Sequence, residues 1–193
     1  MSSVVISGDT SGTVTVAAPA VAGSNTLTLQ AATATNSVNT LSTAVASTSG
    51  TSIDFTSIPS WVKRITVMFN GVSTTPGNNL LIQLGTGSTS YTTTGYVSTG
   101  IITTTSAVGG GSSTAGFFIN KDSGTYVVSG HMILTNISGN IWISSHVGKV
   151  VTTATVNGGG NVTLGAVLTA VRITTVPGTD TFNAGSINIL YEG

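Results

Sequence analysis

Along most of this chain, apolar and polar positions alternate with a period of two. "VKRITVMF" (62–69) puts Lys63, Ile65, Val67 and Phe69 on one face and Val62, Arg64, Thr66 and Met68 on the other. That pattern predicts a strand with one buried face. "GVSTTPGNN" (71–79) turns the chain, and "LLIQLG" (80–85) reads as the return strand with Leu80, Ile82 and Leu84 inward. Further strand patterns follow in "GFFINK" (116–121), "TYVVSGHMILTNI" (125–137), "NIWISSHV" (140–147), "KVVTTATV" (149–156), "VTLGAVLTAVRITTV" (162–176) and "GSINILYE" (185–192). The glycine runs "VGGGSS" (108–113) and "NGGGN" (157–161) read as a loop and a wide turn between strands. No useful stretch has helical periodicity. Short strands separated by Gly, Asn and Ser turns predict an all-β fold, an antiparallel β-sandwich or jelly-roll-like domain over residues 51–193.

The first fifty residues differ. After Asp9 they hold no charge, and they hold no aromatic residue. "TVTVAA" (13–18) and "TLTLQA" (26–31) alternate like strands around the turn-forming "PAVAGSN" (19–25), yet neither has enough large apolar residues for a core. A linker is one reading. The other is an extended segment, residues 1–50, ordered by pairing with neighbouring chains and serving attachment or trimerisation.

Composition narrows the function classes. Of 193 residues only 5% are charged, five acidic and five basic, against a typical ~25%. Without a basic excess there is no counterion release to drive nucleic-acid binding. The chain has no cysteine, so disulfides and thiolate metal sites are excluded. At 39% hydrophobic it has the apolar content of a folded protein rather than a disordered one. A neutral, hydroxyl-rich surface offers little repulsion between copies, which favours assembly. "MSSVVISGDTSG" has neither a basic n-region nor a long apolar run, so no secretory signal is expected, and nothing approaches a membrane helix.

The inventory of reactive groups is short. Asp9, Asp54, Asp122, Asp180 and Glu192 are scattered, with no two carboxylates close in sequence as a glycosidase pair. His131 and His146 are the only imidazoles, and no "GxSxG" elbow supports a serine nucleophile. One histidine per chain makes a metal site only if copies meet on a threefold axis. Neither glycine run has the lysine of a phosphate loop. No enzyme activity, cofactor or metal is expected. Sugar recognition commonly uses an aromatic face with a few polar groups, which nominates Tyr91, Tyr96 and Trp142 as receptor-contact residues.

Two segments carry a resemblance. "GTVTVAAPAVAGSNTLTLQAATAT" (12–35) resembles a stretch found near the N-termini of tail-fibre and related structural proteins of tailed bacteriophages. "IDFTSIPSWVKRITVMFNGVST" (53–74), followed by "LLIQLG", resembles a second segment of such proteins, in the expected order. Where that pattern has Pro after "TLTL", this chain has Gln30. The resemblance implies a virion component assembled in the bacterial cytoplasm, usually a homotrimer, with an attachment region and a C-terminal β-domain displaying receptor loops. The expected partners are other virion proteins (baseplate, tail or capsid) and a host-surface glycan. A head fibre, decoration or baseplate-linking subunit without a receptor role is the alternative. "IPSWVKRITVMFNG" (58–71) then reads as the start of the domain: Trp61 plugs an edge or a neighbouring chain, and Arg64 pairs with Asp54 or another subunit.

Overall fold

The computed structural model describes residues 39–121 and 124–193, together with the backbone of two earlier strands. The chain is all-β and antiparallel, in two compact units, Met1–Asn36 and Ser37–Gly193. In the first unit β1 (Ser3–Ser7) pairs with β2 (Thr13–Ala17) as a hairpin with Val5 opposite Thr15. "TVTVAA" is therefore mostly strand, while "TLTLQA" lies outside the described residues.

The second unit starts earlier than the expected residue 51. β3 (Asn39–Leu41) and β4 (Val45–Ala46) extend a sheet by pairing with the last strand, β15 (Thr181–Glu192). Their small side chains hid them. Backbone bonds carry the attachment: Ser42 N–H donates to the Ile189 carbonyl and Ser47 N–H to that of Gly185, each at 2.9 Å.

The remaining strands are β5 (Ile53–Phe55), β6 (Arg64–Thr75), β7 (Leu80–Gly85), β8 (Val97–Thr104), β9 (Val108–Ser113), β10 (Phe117–Ile119), β11 (Val128–Ser138), β12 (Ile141–Val151), β13 (Ala154–Thr163) and β14 (Ala170–Thr175). They form a small sheet, β10-β7-β14-β5, and a large one, β3-β15-β6-β11-β12-β13-β8-β9, with β4 also on β15. One core lies between them. Leu80, Ile82, Leu84, Val171 and Ile173 come from the small sheet, and Ile65, Val67, Met132, Leu134 and Ile189 from the large one. Each such side chain contributes about 1.5–3 kcal/mol by leaving water. β7 is buried along its whole length. Its inner face lies in the core, and residues 115–116 pack on Leu81 and Gln83 of its outer face, leaving these two only at the edge of a groove.

Both glycine runs lie within strands, which corrects the turn reading. In register, His146, Gly158, Gly100 and Gly111 stand side by side on β12, β13, β8 and β9. A Cβ at Gly158 would lie 2.6 Å from the His146 ring, and one at Gly111 would lie 2.6 Å from the Phe118 ring. The missing side chains open a trench in which β10 seats Phe118, and Phe118 N–H donates to Ser98 Oγ at 2.9 Å. Glycine here serves close packing between layers.

The two ends of the sandwich differ. At the end where the chain enters, Lys63 N–H donates to the Glu192 carbonyl, and the half-exposed Trp61 packs on Tyr191 at 6.0 Å between ring centres. Arg64 lies 3.6 Å from Glu192, not beside Asp54. At the opposite end the fully buried Asp180 accepts from Asn78 N–H at 2.9 Å and from the Asn78 amide. Val176 N–H donates to the Asn79 carbonyl there, so the loop after β6 and the loop after β14 are tied together. Lys121, also fully buried, lies close to Thr74 at 3.4 Å. Its pKa is lowered by burial, and the charge of Asp180 opposes that shift.

Candidate functional site

Alternation along three short strands builds the most chemically developed surface. Asp54 lies between the inward Ile53 and Phe55, Gln83 between Ile82 and Leu84, and Arg172 between Val171 and Ile173. Each therefore points away from the core. Register sets Gln83 opposite Arg172 and Arg172 opposite Asp54, one polar rank across β7, β14 and β5.

Arg172 grips Asp54 with two parallel bonds, Nε to Oδ1 at 2.8 Å and Nη2 to Oδ2 at 2.7 Å. About a third of each side chain is exposed, 32% and 30%. The guanidinium also lies over the Tyr91 ring, 4.0 Å from its centre, a cation–π contact. Tyr91 is held flat by an isolated bridge to Gly85, where a Cβ would lie 3.0 Å from the ring. Its phenol is pushed up first by burial and then by the Asp54 charge, with Arg172 opposing. The carboxylate bonds raise the Arg172 pKa in turn.

Beside this rank runs a groove of ≈ 260 Å³. Leu81, Gln83, Thr174 and Arg172 line it from the sheet, and Val176, Pro177 and Gly178 line it from the loop that Asn79 anchors. The Gln83 amide donates to the Ala115 carbonyl at 2.9 Å, leaving its own carbonyl oxygen for an outside donor. Thr174 donates to the Thr51 carbonyl at 3.0 Å and keeps its lone pairs. The surface thus offers fixed donors and acceptors along a predominantly polar groove.

Of the three nominated aromatics, only Tyr91 belongs to this surface. Tyr96 and Trp142 are core side chains, 1% and 3% exposed, which corrects their assignment as receptor contacts. The Tyr96 hydroxyl accepts the Leu84 N–H at 2.7 Å, and its ring meets Phe117 edge-on at 5.0 Å. Burial pushes the phenol's pKa up, and the bond from the Leu84 N–H opposes that rise. Trp142 alternates with the half-exposed Ile141 and Ile143, so the opposite direction it takes is inward.

The histidines also divide. His131 is exposed on β11, whereas His146 is 7% exposed beside the glycine trench. Neither His146 nitrogen has a hydrogen-bond partner among the described residues, and burial lowers its pKa to about 4. Among the described residues no three His, Cys, Asp or Glu side chains could together hold a metal.

Comparison of this chain with protein-family models, curated proteins and solved structures found no significant match. The site therefore rests on its geometry.

Arg172, Gln83 and the Asp54 pairing were missed in the sequence. A signal existed: Asp54 and Arg172 are lone opposite charges, each flanked by apolar β-formers. What alternation could not supply was which strands are neighbours.

Proposed function

We propose that this chain is a tail-fibre subunit of a tailed bacteriophage that holds host-surface polysaccharide in the groove beside Arg172. The observation that carries the reading is the pre-set polar rank Gln83–Arg172–Asp54 bordering an open groove. Such a surface suits a hydroxyl-rich ligand held by hydrogen bonds. The resemblance of residues 12–35 and 53–74 to phage tail proteins supports the virion setting, and with it a homotrimer bound to other virion proteins. Several copies per particle then combine weak sites through effective concentration. Adhesion is favoured over hydrolysis because Asp54 is occupied by Arg172 and Asp180 by Asn78.

The test is adsorption of the purified chain to permissive bacteria. Binding that is lost in Arg172→Ala, with the fold intact, supports the proposal; firm binding to capsid or baseplate with none to any permissive host sinks it. That second outcome matches a structural virion subunit. One observation favours it: the outer face of the large sheet exposes Val97, Ile141, Ile143 and Val147, with the single charge of Lys149 further along β12, a surface suited to packing against other subunits.

A further inference from the structure

We infer that the groove selects an uncharged saccharide over an acidic one, and that the Asp54–Arg172 pair sets this preference; the inference rests on the adhesion reading above. Among the described residues Arg172 is the one ionic group lining the groove. A guanidinium there would ordinarily recruit a carboxylate or phosphate, because its fork matches two oxygens. In this chain Asp54 already fills the fork at 2.8 and 2.7 Å.

An acidic sugar would have to displace a carboxylate held on the adjacent strand, and it would then stand next to the displaced negative charge. A cationic ligand meets the guanidinium itself. A neutral ligand suffers neither penalty and can accept from the guanidinium N–H groups that Asp54 leaves unused. The Tyr91 ring packs against the guanidinium and gives up one face to it. Recognition is thereby shifted from stacking on an aromatic platform to hydrogen bonding. Gln83 and Thr174 supply the acceptors that match sugar hydroxyls.

The pair also predicts its own failure. Without the Asp54 carboxylate the fork becomes free, and the groove should turn toward acidic glycans.

The experiment is a glycan array carrying neutral oligosaccharides and uronate- or sialate-bearing ones at fixed ionic strength, probed with the full chain and three variants. Neutral glycans are expected to be retained by the unchanged protein. Asp54→Asn should gain acidic glycans by about tenfold, since charge-assisted bidentate bonds are the strong class. Arg172→Gln should lose the neutral set, and Arg172→Lys, which keeps the charge without the fork, should not recover it. Melting curves establish that each variant is folded, and Asp54→Ala, which also removes the carboxylate from the Arg172 fork, stands in if Asp54→Asn is not. A preference of the unchanged protein for acidic glycans overturns this inference and leaves adhesion standing. Retention of no glycan at all overturns it together with the polysaccharide reading.

Discussion

The glycine trench behind β8, β9 and β13 and the polar rank outside the small sheet place polar side chains in opposite circumstances. In the trench, His146 lies against bare backbone with neither nitrogen paired. Outside the small sheet, Arg172 and Asp54 satisfy each other while still touching solvent. Buried polarity without partners costs stability, whereas an exposed ion pair is nearly neutral in stability. The first region should therefore answer to perturbations of folding, and the second to perturbations of binding.

The largest effect is expected at Gly158. Gly158→Val places atoms where the Thr99 carbonyl and the His146 ring already are, and overpacking of that kind costs about 3 kcal/mol. Denaturant unfolding measures it; an unchanged midpoint would remove the trench from the account.

Acid should act through His146. Its folded pKa of about 4 lies below the ordinary 6.5, so the unfolded chain takes up the proton first. The stability attached to the neutral ring is complete above pH 6.5 and drains away as pH falls toward 4. The loss reaches up to about 3 kcal/mol. Unfolding free energies across that window check the slope, and His146→Leu should flatten it.

A smaller contrast separates two tyrosines close in sequence. Tyr96→Phe strands the buried Leu84 N–H, which donates to the hydroxyl, at a cost of about 1–2 kcal/mol. Tyr91→Phe removes a hydroxyl that has no hydrogen-bond partner among the described residues and should cost less, while Tyr91→Ala, which removes the ring under Arg172, should weaken adsorption. Equal losses of stability in the two phenylalanine variants would erase the distinction between the regions.

The smallest effect on folding, with the largest on function, belongs to Arg172→Ala. Its pair with Asp54 is part-exposed, so less than about 1 kcal/mol is expected in unfolding alongside lost adsorption. A large drop in melting temperature would make Arg172 a structural residue and return the groove to scaffold.

Much of the fold was legible because burial follows alternation. Ile65, Val67 and Phe69 face inward as read, as do Leu80, Ile82 and Leu84. "IPSWVKRITVMFNG" lies on scaffold: Lys63 is exposed just before β6, and Trp61 covers an end of the sandwich against Tyr191. The glycine strands were missed because glycine has no side chain to report a face. β3 and β4 were missed because their few small residues alternate too briefly to show a period.

The candidate site was half legible. Tyr91, Tyr96 and Trp142 look alike in the sequence as aromatic groups among hydroxyls. Alternation assigns a side chain to one of two faces, yet it does not say which face a second sheet will cover.

By itself the sequence determined an antiparallel all-β chain, charge-poor and cysteine-free, whose strands each have a side for the core. Those properties are local, set by β-branched residues, period-two alternation and turn chemistry. Only the tertiary structure decided that Gly158, Gly100 and Gly111 share a rank beneath β10, that Arg172 meets Asp54 rather than Arg64 doing so, and that Tyr96 is sealed while Tyr91 is not. These are matters of register and layering between segments far apart in the chain, where a shift of one residue reverses every face.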